Sequence, residues 1–94
     1  MTVIVCHQNA DFDCMGSLAA AACLYPDALL VAPGSLERNV RAFSLMHPEL
    51  FPALTKIKDL DLTAVHHLIL VDCHDAERIG ALKVCFANPA CGIT

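Results

Sequence analysis

The sequence predicts an α/β fold, a parallel sheet in the middle layer of three with helices on its faces. Three observations carry this. Residues 2–6, 28–32 and 67–72 are short runs of apolar and β-branched residues without polar alternation, the pattern of strands buried on both faces. Segments with helical spacing separate them. The composition agrees: 56% of the chain is apolar and 17% charged, a balance that suits a sheet covered on both sides.

The elements follow in order. Thr2 through Cys6 form the first strand. Residues 7–16 are polar, with two Asp, one Asn and one Gly, and read as a loop. Residues 16–25 read as a helix whose small residues let it lie close to a sheet, ended by Pro26-Asp27. Ala28 through Ala32 form the second strand, and Pro33-Gly34-Ser35 a turn, with Ser35 as the expected N-cap. Leu36, Val40, Phe43 and Met46 make one helix face over residues 36–46. His47-Pro48 stops it. Residues 48–65 are mixed: a short helix near 49–53, an extended piece near 55–58 and a helical turn near 61–65. His67 through Asp72 form the third strand. Ile79, Leu82, Val84, Cys85 and Phe86 predict a helix over 76–87, ended by Asn88-Pro89. The order β-α-β-α-β-α defines one parallel α/β unit, with right-handed crossovers.

Length, charge and cysteines narrow the class. Ninety-four residues make one domain at most. The net charge is −4 and the six Lys and Arg are scattered, so the chain lacks the positive stripe of a dedicated nucleic-acid binder. A bound divalent metal still attracts phosphate locally. The six cysteines include no Cys-x-x-Cys pair, which argues against zinc ribbons and thioredoxin-like redox sites. No stretch has the length of a signal peptide or membrane span. The expectation is a cytoplasmic protein with reduced, mostly buried thiols.

The informative stretch is His7-x-x-x-Asp11-x-Asp13-x-x-Gly16-Ser17, directly after the first strand. Open α/β sheets bind ligands beyond the carboxyl ends of their strands. Acceptors crowded on one loop repel each other unless a cation sits between them. Asp72 ends the third strand at the same edge. For it to meet Asp11 and Asp13, strand three must neighbour strand one, which predicts the order 2-1-3. The expected cluster is His7, Asp11, Asp13 and Asp72, a mixed N/O set suited to manganese (Mn2+) or magnesium (Mg2+). Taken singly, each Asp also reads as a turn or cap residue. Cys6, Cys14 and Cys73 flank the cluster in sequence and read as small apolar residues rather than zinc ligands. His74-Asp75 reads as a polar turn, with His74 a secondary candidate to line the site. His66 and His67 read as surface or edge residues. Ser35, Arg38, Asn39 and Arg41 read as a capped helix with a solvated face rather than a phosphate site.

The motif from His7 to Ser17, with Leu70-Val71-Asp72 as a second motif, resembles the start of the DHH phosphoesterases. The resemblance is strongest to the segment of this type in bacterial proteins that also carry CBS domains and a tRNA nucleotidyltransferase region. Asn9 through Asp13, Leu24 through Ala28, Pro33-Gly34-Ser35 and Arg78-Ile79-Gly80 carry it. It implies a two-metal hydrolase acting on phosphodiesters, nucleotides or phosphoanhydrides. His7 and Asp11 would hold one ion, Asp13 the second, and Asp72 would bridge both, so that Asp13 and Asp72 rank as catalytic. Gly16 and Ser17 would open the following helix beside a substrate phosphate. Implied partners are a phosphate-bearing small molecule or a short single-stranded nucleic acid.

The third motif of that family, Asp-His-His, and the fourth are absent from these 94 residues. The resemblance thus covers one partial domain, residues 1–94, with one competent metal site and no expected turnover. A non-catalytic metal- or nucleotide-binding module of a CBS-domain/nucleotidyltransferase protein is the rival reading, and an inactive remnant the third. An open sheet edge with apolar flanks further predicts a homodimer.

Overall fold

The structure, a computed structural model, describes residues 1–72 and 78–94. Four parallel strands form one sheet in the order β2-β1-β3-β4: β1 is Thr2–Val5, β2 Leu29–Val31, β3 His67–Leu70 and β4 Gly92–Ile93. The predicted 2-1-3 arrangement stands at its centre. β1 pairs with β2 through Val3–Leu29 to Val5–Val31, and with β3 through Thr2–His67 to Val5–Leu70.

Both faces of the sheet are covered, and residue alternation divides the core between them. Val3 and Val5 join Val31, Leu68, Ile79 and Leu82 on one face. Ile4 and Cys6 join Cys14, Leu18, Leu30, Val40 and Ile69 on the other. Val3, Ile4, Val5 and Cys6 are all fully buried. This is why β1 reads as an unbroken apolar run.

Helix α1, Phe12–Leu24, begins four residues earlier than the sequence predicted. Its cap is Asp11, whose carboxylate accepts the Cys14 backbone N–H at 2.9 Å. Cys14, Met15 and Leu18 form its buried stripe. Gly16 therefore lies inside the helix. An added Cβ there meets nothing within 4 Å, so no close approach depends on it. Helix α2, Arg38–Met46, is capped by Glu37 rather than Ser35: the Glu37 carboxylate accepts from Asn39 and Val40 N–H.

Between α2 and β3 the chain makes three short 3-10 turns, Pro48–Leu50, Ile57–Asp59 and Leu62–Ala64, the second replacing the expected extended piece. Residues 80–87, expected as α-helix, form a 3-10 helix, Gly80–Ala87. The burial pattern explains it. Ile79, Leu82 and Cys85 are buried at a spacing of three, which keeps one face aligned only at three residues per turn.

The sheet edges are partly closed. Gly92 N–H and Thr94 N–H donate to His66 and Leu68 carbonyls, so β4 covers β3. Thr55 N–H donates to the Leu30 carbonyl on the outer side of β2. The homodimer expected from a bare edge beside the third strand loses that basis. Among the described residues, no helix is long and apolar enough to cross a membrane.

Candidate metal centre

Register brings the site together. Val5 and Leu70 are paired across β1 and β3. Two residues beyond each, at the carboxyl edge, stand His7 and Asp72. The loop after β1 is tied down from several sides. Gln8 N–H donates to the Arg78 carbonyl, Glu37 N–H to the Ala10 carbonyl, and Val71 N–H to the Val5 carbonyl. Asn9 and Asp72 adopt left-handed backbone conformations, with φ of 58° and 52°. Asn and Asp tolerate this region better than other residues with a Cβ. Such conformations concentrate where a loop is over-determined by its surroundings.

Four side chains converge there. One donor atom each from His7, Asp11, Cys14 and Asp72 lies within 4.8 Å of all the others. His7 is 8% exposed, and its Nδ1 donates to the Gln8 carbonyl oxygen at 2.7 Å. A carbonyl oxygen only accepts, so Nδ1 carries a proton, and in the neutral imidazole Nε2 then presents a lone pair. Nε2 is 2.8 Å from Cys14 Sγ and 3.7 Å from Asp72 Oδ2, and Sγ is 3.2 Å from Asp72 Oδ2. One thiol proton faces two acceptors. The donor set thus has fewer protons than lone pairs, the condition a cation satisfies.

The electrostatics follow from the same contacts. The Cys14 N–H and side chain, together with His7, hold the Asp11 carboxyl below its ordinary value. Burial pushes the Cys14 thiol well up, reinforced by Asp72 and Asp11 beside it. Protein alone therefore favours the protonated Cys14 thiol; an ion held by Sγ would favour the thiolate instead.

The other predicted residues lie elsewhere. Asp13 is exposed in the first turn of α1 and is not part of the converging group. Ser17 lies with Gly16 in the helix interior rather than at its start. His74 falls outside the described residues, as do Cys73 and Asp75. His66 and His67 belong to the opposite end of β3: His66 Nδ1 pairs with the Met1 amino group, and His67 Nε2 bonds Thr94 Oγ1 at 2.7 Å. Cys14 is the member that sequence reasoning set aside. The signal was its place three residues after a capping Asp, which turns it inward beneath the loop. An apolar groove, lined by Phe12, Met15, Phe43, Leu50, Phe51 and Pro52 among others, has no titratable lining residue. The chemistry lies at the sheet edge.

The chain is similar to an A-adding tRNA nucleotidyltransferase of Geobacter sulfurreducens, 45% identical over 80 residues. The match covers 85% of this chain but 9% of that protein. No protein-family profile and no solved structure matches. The likeness is to part of a nucleotidyltransferase, and it corrects the reading of the chain as a phosphoesterase: no hydrolase is matched. Among the described residues one cluster of ligand atoms forms, of which Asp13 is not a member. The reading of the chain as a module associated with a nucleotidyltransferase is the one the comparison supports.

Proposed function

We propose that this chain is a non-catalytic module of a tRNA nucleotidyltransferase-type protein, binding one divalent cation and, through it, a phosphate of a nucleotide or RNA. The 45% identity over 80 residues to the A-adding enzyme carries the reading. His7, Asp11 and Asp72 are its ligands. If nitrogen and oxygen donors alone hold the ion, manganese or magnesium suits the set. A bound ion draws phosphate oxygens despite the net charge of −4.

A second feature favours a phosphate ligand. Asn9, Arg38 and Arg41 line one depression, with Leu36, Ala42 and Leu45. Asn9 belongs to the loop that carries His7 and Asp11, and the two arginines lie in the first turns of α2. Two guanidinium groups beside a metal-bearing loop suit an extended polyphosphate or a nucleic-acid backbone. Calorimetric titration tests this: first Mn2+ or Mg2+, then ATP and a short single-stranded RNA. The expected result is metal binding lost in Asp11→Asn, metal-dependent ATP or RNA binding, and a roughly tenfold or greater weakening of it in Arg38→Ala/Arg41→Ala. Wild-type protein that binds no cation, or nucleotide binding indifferent to the metal and to both arginines, overturns the proposal.

A further inference from the structure

We propose that Cys14 is a thiolate ligand of the metal centre, and that the site therefore takes a thiophilic, zinc-class ion in a four-coordinate N, S, O, O set. This rests on the reading that the cluster binds a cation, and it changes which cation and which residues. The expected ligands from the loop were His7 and two carboxylates. In the fold the place beside His7 and Asp72 is filled by sulfur.

Three observations carry the inference. First, Cys14 is fully buried while its Sγ makes two polar contacts, 2.8 Å to His7 Nε2 and 3.2 Å to Asp72 Oδ2. A cysteine that served only as core filler would face carbon. Second, His7 is more than nine-tenths buried and its Nε2, the free nitrogen of the neutral imidazole, points at that sulfur. Its Nδ1 is anchored on a carbonyl, the usual support of a ligating imidazole. Third, the spacing suits one small ion. Ligands about 2.0–2.3 Å from a tetrahedral zinc lie roughly 3.3–3.8 Å from each other. The His7–Asp72 separation of 3.7 Å falls in that range, the two sulfur contacts of 2.8 and 3.2 Å are shorter than it, and all four donors lie within 4.8 Å of each other, so the ligands need part by only a few tenths of an ångström to take an ion. Thiolate selects zinc over manganese and magnesium, whose preference is for oxygen. On binding, the Sγ–metal bond forms as the S–H bond breaks, and the proton leaves to solvent.

The test loads full-length protein with cobalt(II) as a spectroscopic stand-in for zinc. Wild type is expected to show a thiolate-to-cobalt charge-transfer band in the near ultraviolet, absent in Cys14→Ser and retained in Cys73→Ser. Zinc affinity should fall about 100-fold or more in Cys14→Ser, with manganese affinity changing less than about threefold. X-ray absorption on zinc-loaded wild type needs no variant and should find one sulfur at about 2.3 Å among nitrogen and oxygen scatterers. Cobalt bound in an Asp11-dependent manner, without the band and without sulfur in the first shell, overturns the role of Cys14 and leaves the cation site standing. A band that survives Cys14→Ser assigns the thiolate to another cysteine and likewise overturns it. Absence of any bound cobalt, zinc or manganese sinks both readings together.

Discussion

His7 Nε2 and Asp72 Oδ2 lie 3.7 Å apart at the carboxyl edge of the sheet, each two residues beyond the paired Val5 and Leu70. Parallel pairing of β1 with β3 sets the separation, and the sulfur of Cys14 fills the space beside it.

Asp11 caps α1 and is a proposed ligand, and two substitutions separate the two roles. Asp11→Ala removes both the helix cap and a ligand. It should lower stability by about 1 kcal/mol and weaken cation binding. Asp11→Asn keeps an N-cap acceptor for the Cys14 N–H and should stay within a few tenths of a kcal/mol of wild type. Its cation affinity should still drop at least about tenfold. Urea unfolding paired with calorimetry checks both; equal cation affinity in Asp11→Asn and wild type would remove Asp11 from the ligand set.

Acid should destabilise the metal-free protein through Asp11. Its folded-state pKa is depressed below the ordinary 3.8, so its contribution is present above that value and is lost as pH falls through the folded value. Alkali should act through Cys14. Its folded-state pKa is raised above the ordinary 9.0, so stability is intact below that value and declines as pH rises past it, while the unfolded thiol ionises and the buried one does not. Cys85, also raised by burial and by Cys91, adds to the alkaline loss. Denaturant midpoints followed across pH should show both slopes, with the alkaline one shallower in Cys14→Ser.

Cation binding should stabilise the fold, because the ligand set is assembled only in the native state. At a free concentration one hundred times the dissociation constant the gain is about 2.7 kcal/mol. A thermal shift on titration should report it in wild type and not in Asp72→Asn. That variant keeps a residue tolerant of the left-handed φ of 52°, so its apo stability should change little.

Gly80 sets the entry to the C-terminal 3-10 helix. Its φ is +63°, and an added Cβ would come within 3.4 Å of Gln8 Nε2 and Pro33 Cβ. Gly80→Ala should cost about 1–2 kcal/mol through the backbone alone. Because Gln8 adjoins His7, the same variant should also weaken cation binding, measured on folded protein below the unfolding midpoint.

The core of the sheet should respond by burial. Leu68 and Ile4 are fully buried on opposite faces. Leu68→Ala should lose about 2–5 kcal/mol and Ile4→Val about 0.5–1.5 kcal/mol. Similar losses from an exposed residue such as Leu45, 78% accessible, would contradict the assigned faces.

The sequence by itself determined the fold class. Unbroken apolar runs such as Val3-Ile4-Val5 have one stable home, the interior of a parallel sheet, and the polar residues after two of them had to meet if the strands were neighbours. His7, Asp11 and Asp72 were legible for that reason. Local chemistry beyond the runs was not. The helix start depended on whether the Asp11 carboxylate captured a backbone N–H, an event between neighbours that periodicity does not register. That start moved Asp13 outward, turned Cys14 inward and carried Gly16 and Ser17 into the helix. The 3-10 form of Gly80–Ala87 was hidden likewise, since apolar residues at spacings of three and four look alike until packing selects one period. Only the tertiary structure decided the chemical character of the site. A thiol's role depends on what its sulfur faces, and Cys14 faces an imidazole nitrogen and a carboxylate because two strands in register deliver them there.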